Sequence, residues 1–117
     1  MAGLSTHVLD TSVGKPAGGL RIDLFRIEAG ERRHCRSAVT NAEGRTEEPL
    51  LTGDRIPRGV YELVFAAADY FRQRGVALAD PPFLDQVVIR FGIAEEQGHY
   101  HVPLLLSPYA YSTYRGS

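Results

Sequence analysis

The chain has 117 residues, enough for a single domain, residues 1–117, with a core of its own. Its formal net charge of −1 speaks against an electrostatically driven nucleic-acid binder, and its one cysteine, Cys35, excludes an intrachain disulfide framework. No apolar run nears the roughly 18 residues of a spanning helix, and MAGLSTHVLD has neither the basic region nor the apolar stretch of a secretion signal; no membrane or nucleic-acid partner and a cytoplasmic location are the expectations.

Period-two alternation dominates. LSTHVLD (4–10) reads as a first strand, cut off by the Gly/Pro-rich loop TSVGKPAGG. LRIDLFRIE (20–28) puts Leu20, Ile22 and Leu24 on one face, and RRHCRSAVT (32–40) follows the AGE turn as its hairpin partner. NAEGR (41–45) is a turn in which Asn and Gly make positive φ cheap. GVYELVF (59–65) is a further strand, with Tyr61, Leu63 and Phe65 on one face. AAADYFRQRG (66–75) breaks the pattern and predicts a helix of two to three turns, ended by Gly75 and packed on a sheet edge. FLDQVVIRFGI (83–93), HYHVPLLLS (99–107) and YAYSTY (109–114) complete seven or eight short strands, the spacing of a β-sandwich.

Four places carry candidate chemistry. In HYH, His99 and His101 share one strand face, a spacing that suits two solvated histidines, an acid–base pair or a metal-binding pair. His7 faces away from Thr6 and Val8; with Val8 in the core it points outward, where a lone sandwich has no pocket. Arg45, just after the turn, is by itself an ordinary loop arginine, though its guanidinium is a fixed fork of donors for an oxygen-rich ligand. In the terminal YAYSTY, Tyr109, Tyr111 and Thr113 alternate with Ala110, Ser112 and Tyr114. The acid pairs Glu47–Glu48 and Glu95–Glu96 read as solvated. No nucleophile elbow and no P-loop occurs.

Taken together, LSTHVLD, NAEGR, YFRQRGVALADPPFLDQVVIRFGI and GHYHVPLLLSPYAYSTYRGS resemble the 5-hydroxyisourate hydrolase family, the transthyretin-like enzymes of urate breakdown. The resemblance runs from Leu4 to Ser117, and the terminal Tyr114-Arg115-Gly116-Ser117 is the motif that separates the hydrolases from transthyretin itself. It implies an all-β, transthyretin-like sandwich of two four-stranded sheets with one short helix. It also implies a homotetramer, a dimer of dimers, with sites in the cleft between the dimers, and hydrolysis of a small-molecule substrate, 5-hydroxyisourate. Carried over residue by residue, it implies His7, Arg45 and His101 as catalytic residues. His7, Arg45, Tyr114 and Ser117 would bind substrate, and His99 would stand at the rim. On this reading no metal and no other cofactor is needed. The competing readings are a transthyretin-like carrier, which calls for a mainly apolar channel, and a plain interaction module, which calls for a monomer.

Overall fold

The structure is a computed structural model describing Met1–Ser117. Nine strands and one helix follow in chain order: β1 (Ala2–Asp10), β2 (Lys15–Pro16), β3 (Arg21–Glu28), β4 (Glu31–Val39), β5 (Leu51–Gly53), β6 (Gly59–Phe65), α1 (Ala67–Gln73), β7 (Val87–Ile93), β8 (His99–Leu106) and β9 (Tyr111–Thr113). One sheet runs β4-β3-β6-β7 and is antiparallel throughout. The other is built on β1, which pairs parallel to β8, and β8 pairs with β9. The free side of β1 is covered piecewise, by β5 at Ala2–Leu4 and by the two-residue β2 at Leu9–Asp10. Thus β5, β1, β8 and β9 form the expected four-stranded sheet, and β2 adds a short fifth strand.

The two sheets bury one face each against the other, as the alternation requires. Leu4, Thr6 and Val8 of β1 and Tyr100, Val102, Leu104 and Leu106 of β8 are buried, with Ile22, Leu24, Leu63, Phe65, Val87 and Ile89 opposite them. Their odd-numbered neighbours on β1 and β8 form the outer face of the β1–β8 sheet, and there the candidate residues His7, His99 and His101 stand. The β3–β4 ladder shifts register between Leu24 and Phe25, so Cys35 has no partner and β4 bulges. All of β4 except Ala38 is exposed, because the strand overhangs the sandwich edge.

The helix is seven residues long, the short end of the expectation. The Val76 N–H donates to the Phe71 carbonyl and the Gly75 N–H to the Arg72 carbonyl, both at 3.0 Å, with Gly75 at φ 80°. That is the six-to-one and five-to-two bonding of a Schellman stop. Tyr70 and Phe71 bury their rings, and the Tyr70 hydroxyl donates to Asp10 of β1 at 2.8 Å, so the helix ties the end of one sheet to the other. Residues 83–86, expected to open the seventh strand, precede it as loop.

Candidate active site

Strand register puts the sequence candidates into two neighbouring rows. In the parallel β1–β8 ladder, His7 stands beside Pro103 and Ser5 beside His101. On the free side of β1, an isolated antiparallel bridge sets Arg45 beside His7. On the far side of β8, Leu104 pairs with Thr113 and Leu105 with Ser112, and the same register resumes at an isolated bridge between His101 and Gly116. Tyr114 therefore falls opposite Pro103. One row across the sheet reads Arg45, His7, Pro103, Tyr114; the next reads Ser5, His101, Gly116. All of these positions belong to the outer face. Strand spacing and rise put the Cα atoms of His7 and His101 about 8 Å apart on the diagonal.

Local chemistry fixes each member. The Asn41 side-chain oxygen accepts from the Glu43 N–H at 3.0 Å and the Arg45 N–H at 3.1 Å, and the Asn41 N–H donates to the Arg45 carbonyl at 2.7 Å. The turn is thereby closed on itself. Its Gly44 carbonyl accepts from the Val8 N–H at 2.9 Å, which docks the turn on β1. Gly44 has φ 75°, and a Cβ there would sit 2.4 Å from the Val8 carbonyl oxygen, so only glycine lets the turn approach and deliver Arg45.

The terminal segment is held differently. Pro103 lies in an interior strand, where a missing N–H breaks the ladder. Its carbonyl accepts the Thr113 hydroxyl at 2.7 Å, the Tyr114 N–H has no backbone acceptor, and pairing returns only where the Gly116 N–H donates to the His101 carbonyl at 2.8 Å. A Cβ on Gly116 would lie 2.7 Å from Cδ2 of His101, so the terminal glycine is what lets the chain pass over the imidazole. Arg115 turns to the opposite face, with its guanidinium 4.1 Å from the centroid of the Tyr100 ring, an anchoring cation–π contact.

His101 is half-buried, and its Nδ1 lies 2.8 Å from the Ser5 hydroxyl. Burial pushes its proton affinity below that of a free imidazole, and the charges of Arg45, His7 and His99 push in the same direction. A neutral imidazole is thus the resting state near pH 7. His7 is half-buried, while Arg45 and His99 are exposed. No three His, Cys, Asp or Glu side chains converge as metal ligands.

The structure brings His7, Arg45 and His101 together. It places Tyr114, 60% exposed, in their row by register, and leaves Ser117 exposed one residue past the Gly116 bridge. His99 follows the same strand face two residues before His101. Sequence reasoning missed Ser5. Alternation alone puts it on the His7 face; its contact with His101 depends on the parallel register, which no local signal carries.

The model of the HIUase/Transthyretin family matches residues 4–116. The chain belongs to that family. Within it, the chain is 60% identical to 5-hydroxyisourate hydrolase 2 of Rhizobium meliloti over 97% of this chain and 95% of the relative, and 55% identical to 5-hydroxyisourate hydrolase of Pseudomonas aeruginosa over 100% and 93%. Among solved structures, 5-hydroxyisourate hydrolase of Klebsiella pneumoniae superposes with TM-score 0.82 at 37% identity, covering both chains fully. Sea bream transthyretin in complex with thyroxine gives 0.85 at 31% identity, over 97% of this chain and 94% of that one. An (S)-allantoin synthase gives 0.92 at 44% identity over 99% of this chain, which spans 44% of that longer one. The HIUase/transthyretin fold is thus the all-β sandwich with a short helix described above.

Proposed function

We propose that the outer face of the β1–β8 sheet opens the six-membered ring of 5-hydroxyisourate by histidine-assisted attack of water. The overall reaction follows from kinship: the chain is a 5-hydroxyisourate hydrolase of urate degradation, as are its near-full-length relatives at 60% and 55% identity. The step itself rests on one observation. Arg45, His7 and His101 reach one face from three separate segments, and His101 is held neutral there by burial and by the neighbouring cation.

A neutral imidazole takes a proton from water, whose oxygen adds to the ring carbonyl carbon. Negative charge develops on the carbonyl oxygen, and Arg45 supplies fixed donors for it, a contribution of about 3 kcal/mol in comparable sites. The C–N bond then breaks. The carbon leaves the ring as a carboxylic acid that gives its proton to solvent, and the nitrogen takes the other proton back from the imidazolium to end a urea group. Tyr114 and Ser117 line the substrate edge from the terminal segment.

One protomer gives this face a single wall. A homotetramer, a dimer of dimers in which a second copy closes the cleft, fits that geometry. Its support is twofold: the polar row on the outer face, and the free edges of β7 and β9, which flank a cleft lined by Ile89, Phe91, Tyr100 and Val102. A ligand carrier on the same fold is the competing reading, and titratable side chains where an apolar channel is needed weigh against it.

The test is the absorbance of freshly generated 5-hydroxyisourate. The protein is expected to speed its loss well beyond the spontaneous rate, with activity that survives exhaustive treatment with a chelator. A decay no faster than the blank would leave the carrier standing, and loss of activity with the metal would favour the metal-binding reading of His99 and His101.

A further inference from the structure

We infer that Ser5 is a positioning residue, one that holds His101 with its hydrogen on Nδ1 and so leaves Nε2 as the lone pair that receives the proton of water. The inference rests on the hydrolytic reading above and deepens it, since that reading leaves the base unassigned between His7 and His101.

The geometry starts from the parallel ladder. Ser5 and His101 are direct neighbours in register, and both face outward, so their side chains meet over one strand spacing. The contact made is between the Ser5 hydroxyl and Nδ1 at 2.8 Å, a full hydrogen bond. In a neutral imidazole one nitrogen donates and the other accepts, so the partner of one nitrogen decides the state of the other. A hydroxyl can serve in either sense, and the surroundings of the ring decide which. The backbone of Ser5 also raises the proton affinity of the ring, the direction of an acceptor, and so favours a hydrogen on the nitrogen beside Ser5. Arg45, its charge felt by the same ring, can only donate. A positive charge felt at the ring disfavours a second proton on it, and the nitrogen not occupied by Ser5 is Nε2. Of the other groups near His101, His7 and His99 are neutral or positive, and Gly116 passes over Cδ2 with no side chain. No carboxylate is among the charges that shift His101. Ser5 thus stands where other hydrolytic sites place an acid behind the histidine: it orients the ring without stabilising the imidazolium by full charge. This makes a weaker orienter but leaves the low proton affinity intact, which suits a base that must return its proton to the leaving nitrogen.

Two measurements test this on the full chain. Ring-nitrogen NMR of histidine-labelled protein at neutral pH is expected to show His101 with hydrogen on Nδ1, and Ser5→Ala to move it toward the tautomer with hydrogen on Nε2. In steady-state kinetics Ser5→Ala lowers kcat about ten- to a hundredfold, within the range of acid–base contributions, with KM changed little. Ser5→Thr, which keeps the hydroxyl on a strand-compatible side chain, recovers most of the loss. The inference is overturned if wild-type His101 carries its hydrogen on Nε2, a result that needs no variant to fold. It is overturned equally if Ser5→Ala shifts the tautomer and leaves kcat unchanged, or if it lowers kcat with the tautomer intact. Failure of the hydrolytic reading would look different, as wild-type protein with no activity and the Nδ1–H tautomer present.

Discussion

His101 is a weak base by construction. Burial first, then Arg45, His7 and His99, hold its proton affinity below the ordinary imidazole value. A group whose affinity is lowered is deprotonated, and so competent as a base, down to a more acidic pH. With His101 as the proposed base, the rate is expected to stay level from pH 8 downward and to fall only along a limb centred below about 6.5. Arg45→Ala has two expected effects. Turnover drops about a hundredfold or more, since an oxyanion donor of this kind contributes ~3 kcal/mol. The acid limb also moves to higher pH, because one repulsive charge is gone. A pH profile of kcat/KM for both proteins reads the shift, and an unmoved limb would separate Arg45 from His101. Gly116→Ala drives a methyl group to within 2.7 Å of the His101 ring. Its expected result is a fall in kcat with circular dichroism and melting temperature close to wild type; full activity would mean that the segment passes the imidazole without touching it. Of the candidate site residues, His7, Arg45, His101, Tyr114 and Ser117 are all legible in the sequence through the resemblance. Spacing alone left His7 a solvated strand histidine and Arg45 an ordinary loop cation. Their neighbours on the next strand are what make them more than that.

At the scale of elements, two ladders make specific expectations. On the outer face of the other sheet, the buried carboxylate of Glu62 on β6 accepts from Arg32 of β4 at 2.7 Å and from Arg90 of β7 at 2.9 Å. Burial by itself would raise the Glu62 pKa, but the two arginines overcome it and the value falls below that of a free glutamate. The contribution to stability is present above the unfolded value near 4.3 and is lost as pH falls through the lower folded value. Glu62→Ala removes the acceptor common to three strands and costs about 2 kcal/mol at pH 7, measured by urea unfolding. The difference from wild type narrows toward pH 3; a gap that did not narrow would assign the loss to packing instead. In the β8–β9 ladder, the break at Pro103 predicts that the Tyr114 amide exchanges freely while that of Gly116 is protected, a contrast that hydrogen exchange resolves residue by residue. Sequence marked β1, β3, β6 and β8 because their alternation is long and clean. It did not mark β2 and β5, of two and three residues, which have too few positions to show a period and exist only because β1 offers a free edge.

For the whole molecule the question is what closes the site. Light scattering is expected to give a mass of four chains, and a monomer with full activity would mean that one sheet face suffices. Removing Tyr114-Arg115-Gly116-Ser117 takes away the His101–Gly116 bridge and the Arg115–Tyr100 contact while leaving the named strands intact. Activity is expected to disappear with the fold preserved, and a fully active truncation would leave the terminal segment without a role in the site.

The sequence by itself determined the alternation, and with it which side of each strand meets the core. Thr6 and Val8 turn inward, so Ser5 and His7 turn outward; Tyr100 and Val102 turn inward, so His99 and His101 turn outward. It also determined the punctuation: the Asn41–Gly44 turn and the Gly75 helix stop follow from φ values that only a few residues reach cheaply. What only the tertiary structure decided is which outward residues become neighbours. A strand carries its facing rule within itself, because the pleat is local, but it carries no mark of its register with a strand some 96 positions away. Parallel pairing of β1 with β8 set Ser5 against His101, docking of the turn set Arg45 against His7, and the resumed ladder laid Gly116 over the imidazole. Those three juxtapositions gather scattered polar side chains into the candidate site.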